Sequence, residues 1–254
     1  MVEALATSTK GRSSLAYDIV IPLHNEAESI GPLLDGIAAA TRGSPPGRVV
    51  LVDDGSTDDT AATVRAYRDA STLPLVILHS GRRCGQSTAI RAGVQAAEAE
   101  WVVTLDGDGQ NDPVDIPGVV ARLRDHGSVD TLVIGHRVNR RDNWLRRLSS
   151  RLANAVRRSI LDDGAPDTGC GLKAFHRATY LDLPYFDHMH RFIPALVLQR
   201  GGRVESVPVR HLPRKGGRSK YGVMDRLWVG IVDLLGVTWL GRRNCHTNWV
   251  RDDG

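Results

Sequence analysis

Four short apolar runs rich in β-branched residues constrain this chain more than anything else in it: Tyr17–Pro22 (YDIVIP), Arg48–Val52 (RVVLV), Leu75–His79 (LVILH) and Trp101–Leu105 (WVVTL). Runs of this length, bounded by polar or glycine-rich segments, read as buried strands. Helical patterns lie between them. The first is opened by Ser29 or Glu28 and runs to about Arg42, with Ile30, Leu33, Leu34 and Ile37 on one face, before SPPG breaks it. A second runs through about Ala70, and a third leads from Gly85-Gln86-Ser87 through about Glu100. Strands alternating with amphipathic helices predict an α/β fold, a mostly parallel sheet with helices on both faces. Ligands in such sheets gather beyond the carboxyl ends of the strands. Each polar cluster of this half, HNE, DDGSTD, GRRCGQ and DGDGQ, follows directly on a strand.

The second half is less regular. Thr131–Gly135 reads as a strand ending in GHR, Arg140 to Ile160 as an arginine-studded helix, and DDGAPDTGCGL as a glycine-rich loop. Met189 to Gln199 looks helical with a kink or break at Pro194, Val204–Val209 reads as a strand, and HLPRKGGRSKYG is a basic loop. The apolar segment Leu227–Leu240, interrupted by Asp233, falls short of the roughly 20 apolar residues that span a bilayer. A helix lying in a membrane interface, with Trp228 and Trp239 as anchors, and a buried core helix both fit it. The expected organisation is a disordered lead-in at 1–16 without a secretory signal. A folded body at 17–222, a C-terminal helix at 223–241 and a tail at 242–254 follow.

Charge is divided unevenly. Residues 1–130 carry 11 Lys/Arg against 18 Asp/Glu, whereas residues 131–254 carry 22 against 11. The first half suits a cation; the second suits phosphates or an acidic membrane face. Nucleic acid is not expected, because the aromatic interleaving and compact basic stripe it calls for are missing. The cysteines, Cys84, Cys170 and Cys245, form no CxxC pair and point to a reducing compartment. There is no HExxH, GxSxG, GxxxxGK[ST] or GxGxxG.

The stretch with most chemistry is Trp101–Pro113, WVVTLDGDGQNDP. Asp106 and Asp108 at a strand end are hard oxygen ligands for Mg²⁺ or Mn²⁺, metals that keep waters and share a substrate's phosphates. Gln110 adds a neutral oxygen, and Gly107 and Gly109 let the backbone bend beside the acids. A capping turn is the bland alternative. In DDGSTDDT, Ser56 or Thr57 is expected to cap the next helix and Asp58 and Asp59 to favour its positive end. Asp53 and Asp54 are expected to face the crevice, where a carboxylate accepts a nucleobase N–H or holds a ribose hydroxyl. Gly85 and Gln86 open a helix whose N–H groups can meet a phosphate or base carbonyl. Arg137, the Arg146/Arg147/Arg151 cluster and the loop carrying Arg214, Lys215, Arg218, Ser219 and Lys220 are candidates for diphosphate or lipid phosphate.

Taken in order, IPLHNE, LVDDGSTDDT, GQSTAIRAG, TLDGDGQNDP, GHR, DTGCGLKAF and RKGGRSKYG closely resemble the family 2 inverting glycosyltransferases with a GT-A fold, a Rossmann-like sheet. Among them the chain looks most like the polyprenyl-phosphate sugar synthases, the group of dolichol-phosphate mannose synthase, from about Asp18 to Trp239. The resemblance implies that Pro22, His24, Glu26 and Asp54, with Gly85 and Gln86, line a nucleotide pocket. It implies that Asp106, Asp108 and Gln110 hold the metal and donor diphosphate. Arg137, Arg147, Arg151, Arg214, Ser219 and Lys220 would manage the sugar and the lipid phosphate, with Arg137 joining Asp106 and Asp108 in catalysis. His24 stands where an aromatic such as Tyr is frequent, leaving GDP and UDP donors both open.

The implied reaction moves a sugar from a nucleotide donor to a polyprenyl phosphate at the cytoplasmic membrane face. That acceptor is already anionic, so no strong base is needed. Three alternatives stay open. A family relative using a hydroxyl acceptor would need a base such as Asp167. A phosphohydrolase is suggested by the likeness of TLDGDGQ to a DxDGT loop, with Gln110 in place of its Thr. The third is a sugar-nucleotide sensor without turnover.

Overall fold

The computed structural model describes residues 15–126, 128–138, 167–213 and 223–243. Seven strands form one sheet in the order β3-β2-β1-β4-β6-β5-β7. They are β1 (Tyr17–Leu23), β2 (Val49–Asp53), β3 (Leu75–His79), β4 (Trp101–Thr104), β5 (Thr131–Arg137), β6 (Lys173–His176) and β7 (Arg203–Val209). The described helices are α1 (Ala27–Ala40), α2 (Thr60–Ala70), α3 (Gln86–Ala96), α4 (Ile116–His126), α5 (Arg177–Leu181), α6 (Ile193–Gln199) and α7 (Val223–Arg243).

The expected α/β architecture holds. β1 to β4 pair in parallel, and β7 runs parallel to β5. Their apolar runs are near-continuous because both faces are covered. On one face Ile30, Leu33, Leu34 and Ile37 of α1 pack with Val64 of α2 and Ile116, Val119 and Leu123 of α4. On the other, Ile90 and Val94 of α3 meet Tyr180 of α5, Leu196 and Val197 of α6, and Val237 of α7.

β6 departs from the alternation. KAFH, which follows directly on the glycine-rich loop, is a strand, and it pairs antiparallel with both β4 and β5. Lys173 therefore sits opposite both Thr104 and Ile134, at the same end of the sheet where β4 and β5 finish. A reversed strand brings its start to the place where its neighbours end.

Several local expectations are corrected. α1 begins at Ala27, before Glu28 and Ser29. Its first turn is fixed instead by the Glu26 N–H donating to Thr60 Oγ1 at 2.8 Å. α3 stops at Ala96 rather than near Glu100. The segment from Met189 to Gln199 is a 3-10 turn at Met189–Arg191 followed by α6, with the break at Phe192. Pro194 lies in the first turn of α6, where its missing N–H is harmless.

α7 is 21 residues long, and among the described residues no helix is long and apolar enough to cross a membrane. It is neither wholly buried nor wholly free. Val237 is buried and its carbonyl accepts from Gln199 Nε2 at 3.2 Å. Ile231, Val232, Leu235 and Trp239 are exposed, and the Arg243 guanidinium lies 5.8 Å from the Trp239 ring centroid.

Candidate active site

The carboxyl ends of β1, β2 and β4 enclose a cavity of about 400 Å³. Its lining brings together Pro22, His24, Glu26, Asp54, Gln86, Asp106 and Asp108, with Asn25, Arg83 and Gly107 between them. Residues nearly 90 positions apart in sequence share one wall because their strands end at one edge of the sheet.

The floor is built from backbone donors. Asp54 is 5% exposed, and its two oxygens accept the N–H groups of Cys84 at 2.6 Å and Gly85 at 2.8 Å. Gly85 has a φ of +99°, a conformation that L side chains rarely adopt. The Gly85 N–H is thus held by Asp54 and is not open to a phosphate, unlike the expectation from the helix start. His24 Nδ1 lies 2.9 Å from the Asp54 carbonyl.

Asp53 turns the other way, as alternation along a strand requires. It is 1% exposed, accepts the Ser56 N–H at 3.0 Å and meets His79 Nδ1 at 2.9 Å. The expectation that both aspartates face the crevice fails for Asp53. Ser56 and Thr57 do not cap α2 either; Ser56 Oγ accepts the Asn25 N–H at 2.9 Å, and the Thr57 N–H donates to Asn25 Oδ1 at 2.8 Å. Asp58 does that work, accepting the Thr60 N–H at 3.0 Å.

Asp106 is the most perturbed group of the cavity. Burial and then the charge of Asp108 push its pKa up to about 6, against the opposing pull of Lys173 and Arg137. Gln86 Nε2 donates to its Oδ1 at 2.8 Å, and its own N–H donates to Asn111 Oδ1 at 3.2 Å. Gly107 is required by packing: a Cβ there would lie 2.4 Å from Leu23 Cδ2. Gly109, at φ +70°, makes the turn that returns Gln110 toward Asp108. The Gln110 N–H donates to Asp108 Oδ1 at 3.1 Å, and its carbonyl accepts the Leu212 N–H at 2.9 Å. Gln110 is not among the cavity-lining residues.

A buried carboxylate whose proton affinity is raised by burial and by a neighbouring carboxylate forms with it a donor set that a divalent cation relieves. Among the described residues no cluster of three or more His, Cys, Asp or Glu side chains could form a metal cage. Mg²⁺ binds through one or two carboxylates plus substrate phosphates and water, so Asp106 and Asp108 suit it as they stand.

Beside Asp106, Arg137 grips Asp167: Nε donates to Oδ2 at 2.6 Å and Nη2 to Oδ1 at 2.8 Å. Burial works against the charge of Arg137, but Asp167 more than offsets it and raises the guanidinium above its ordinary pKa. Asp167 is therefore not the isolated acid that a hydroxyl acceptor would need. Lys173 is 4% exposed; burial lowers its pKa, while Cys170, Asp106 and Asp167 act the other way. Ser87 Oγ lies 2.8 Å from His190 Nδ1, and Tyr185 Oη lies 2.6 Å from Thr88 Oγ1, so the 185–190 loop is pinned to the start of α3. Burial first, then Lys173, holds the His190 pKa well below the ordinary imidazole value.

Arg147, Arg151, Arg214, Ser219 and Lys220 lie outside the described residues, as does the expected helix from Arg140 to Ile160. The chain does reach residue 213 beside the acidic loop, through a bridge between His211 and Asn111. Gly171 and Lys173 went unremarked from sequence, although DTGCGLKAF contains both. The spacing of the Gly-Leu-Lys triplet at a strand start was the available signal.

A family model described as glycosyl transferase family 2 matches residues 18–183. The chain is 38% identical over 245 residues to dodecaprenyl-phosphate galacturonate synthase of Rhizobium johnstonii, covering 95% of this chain and 72% of that one. It is 36% identical over 208 residues to undecaprenyl-phosphate 4-deoxy-4-formamido-L-arabinose transferase of Sodalis glossinidius, covering 81% of this chain and 63% of that one. The chain thus spans about two thirds of the length of these relatives. In fold it is similar to glucosyl-3-phosphoglycerate synthase from Mycobacterium tuberculosis, solved with Mn²⁺, UDP-glucose and phosphoglyceric acid. The TM-score is 0.67 at 17% identity, covering 89% of this chain and 79% of that one.

Proposed function

The chain belongs to glycosyl transferase family 2, and from that premise we propose that it transfers a sugar from a nucleoside diphosphate donor to a polyprenyl phosphate, inverting the anomeric carbon. The observation that carries the reading is the single cavity lined by His24 and Asp54 together with Asp106 and Asp108. The relatives named for dodecaprenyl and undecaprenyl phosphate support the acceptor class. The donor base, GDP or UDP, and the sugar belong to the same proposal.

In this reading Pro22, His24, Glu26, Asp54 and Gln86 hold the nucleotide, and Asp106 and Asp108 hold Mg²⁺ or Mn²⁺. Gln110 joins them only if its side chain turns into the cavity. The metal supplies charge stabilisation to the departing diphosphate. Gln86 fixes the Asp106 carboxylate, and the Asp106 N–H is anchored on Asn111, so the ligands are oriented before substrate arrives. The acceptor oxygen is anionic at neutral pH and attacks without a base, which agrees with Asp167 being occupied by Arg137. A hydroxyl acceptor would need Asp167 free. Arg137, with Arg147, Arg151, Arg214, Ser219 and Lys220, is the proposed phosphate-handling set. The exposed stripe of α7, with Arg242 and Arg243 at its end, favours a place at the cytoplasmic membrane surface, where the lipid acceptor lies.

The test is product analysis. Purified protein is incubated with Mn²⁺, a panel of GDP- and UDP-sugars, and either undecaprenyl phosphate or free sugars and glycans. Sugar appearing on the lipid phosphate supports the proposal. Sugar on a glycan hydroxyl, or free inorganic phosphate from simple esters, would replace it.

A further inference from the structure

Lys173 opens β6 at the junction of three strand ends and is almost fully buried. Its ammonium donates to the Cys170 carbonyl, and no carboxylate among the described residues forms an ion pair with it. An ammonium has three donors, and a lysine is rarely buried unless paired. Leaving such a charge uncompensated is expensive for the fold. Arg137 beside it is different, since Asp167 occupies its fork. The charges that act on Lys173, those of Asp106, Asp167 and Arg137, belong to the crevice. Yet Lys173 does not line the cavity that contains His24 and Asp54. It belongs to the β5–β6 side of Asp106.

We propose that Lys173 is an anion-binding residue whose ammonium takes a substrate phosphate oxygen at the junction of β4, β6 and β5. The proposal rests on the reading of the chain as a transferase with two phosphorylated substrates. Either the donor diphosphate or the acceptor monophosphate has the required chemistry. The place of Lys173 outside the nucleotide cavity favours the acceptor. A buried ammonium that no carboxylate among the described residues pairs with costs stability, and a phosphate oxygen would offset that cost. The opposing structural role would be to hold the Cys170 carbonyl, and so keep Gly171 in place.

The two roles separate in full-length Lys173→Met and Lys173→Gln. Methionine keeps the length of the chain and removes both charge and donor; glutamine removes the charge but keeps a donor for Cys170. Binding is read as thermal stabilisation, titrating farnesyl phosphate in one arm and Mn²⁺ with UDP or GDP in the other. Both variants are expected to melt at or above the wild-type temperature without ligand. Both should bind farnesyl phosphate roughly ten- to hundredfold more weakly, the range for a lost hydrogen bond to a charged group. Mn²⁺-nucleotide binding should fall by less than farnesyl phosphate binding, through loss of the downward pull that Lys173 exerts on the Asp106 carboxyl. A loss confined to the nucleotide arm would keep the anion role and assign it to the donor.

Wild-type affinity of Lys173→Gln for both ligands would overturn the proposal, because the hydrogen bond to Cys170 would then suffice. So would a wild-type protein stabilised by neither phosphate. Should wild-type protein bind both phosphates and transfer no sugar, the proposed reaction falls while the binding comparison still decides the role of Lys173.

Discussion

Gly171→Ala isolates the placement of Asp106 from every other property of the site. A Cβ on Gly171 would lie 2.3 Å from Asp106 Cγ and Oδ2. Gly171 is not among the glycines with positive φ, so alanine brings no backbone strain of its own. Ordinary contact begins near 3.4 Å, so the carboxylate must retreat by roughly 1 Å. It cannot do so and keep the 2.8 Å hydrogen bond from Gln86 Nε2. A displacement of that size at a reacting centre costs about a hundredfold in rate, close to 3 kcal/mol in the barrier. Overpacking in a rigid core costs about 1–3 kcal/mol of stability, and here the group that gives way is a side-chain end, so the lower figure applies. The expected result is a turnover loss of about two orders of magnitude with a melting temperature nearly unchanged. Single-turnover sugar transfer under saturating Mn²⁺, alongside a melting curve, measures both. Wild-type turnover in Gly171→Ala would show that this contact does not set the position of Asp106, and the site as described would be wrong.

The remaining predictions concern charge and its partners. Because the folded-state pKa of Asp106 is raised to about 6, Mn²⁺-dependent nucleotide binding should fall as pH drops through 6. Without metal the sign reverses: the folded protein holds this proton more tightly than the unfolded chain, so its stability contribution rises as pH falls toward 4. Melting curves against pH with and without Mn²⁺-nucleotide that run parallel would contradict this. Asp108→Ala should abolish transfer with the fold intact; a variant that still turns over at the wild-type rate would remove Asp108 from the site. Asp54→Ala strands the N–H groups of Cys84 and Gly85, and a loss of about 2–4 kcal/mol in urea denaturation is expected. Arg137→Met should lose about 3–5 kcal/mol by removing the guanidinium from the buried Asp167 carboxylate, and Asp167→Leu in the same chain should recover most of it; additive losses would mean the pair is not coupled.

The parallel half of the sheet was legible because its strands are β-branched runs with punctuation after each. β6 was not: four residues, one of them lysine, carry no period that can be counted. α4 carries Pro117 and Gly118 within its first turn, residues that weaken a helical pattern in sequence. Adjacent acids at the end of β2 looked equivalent in sequence, yet strand alternation sends Asp54 to the crevice and Asp53 to His79. The capping expectation for Ser56 and Thr57 failed through a non-local competitor, the Asn25 amide and backbone. Lys173 is unremarkable as a letter and becomes informative only through burial, a property of the folded chain.

The reversed direction of β6 has a bearing on how the molecule can change over time. β5 departs at the crevice with Arg137 and β6 re-enters there with Lys173, so residues 138–172 start and finish at one mouth. The Arg137–Asp167 clasp ties both ends of that excursion. Insertions or deletions between 139 and 166 leave the strand order unchanged, and they fall outside the buried Cys170 and Leu172 and the Gly171 that abuts Asp106. A single inverted strand thereby frees the length of that connection from the register of the sheet.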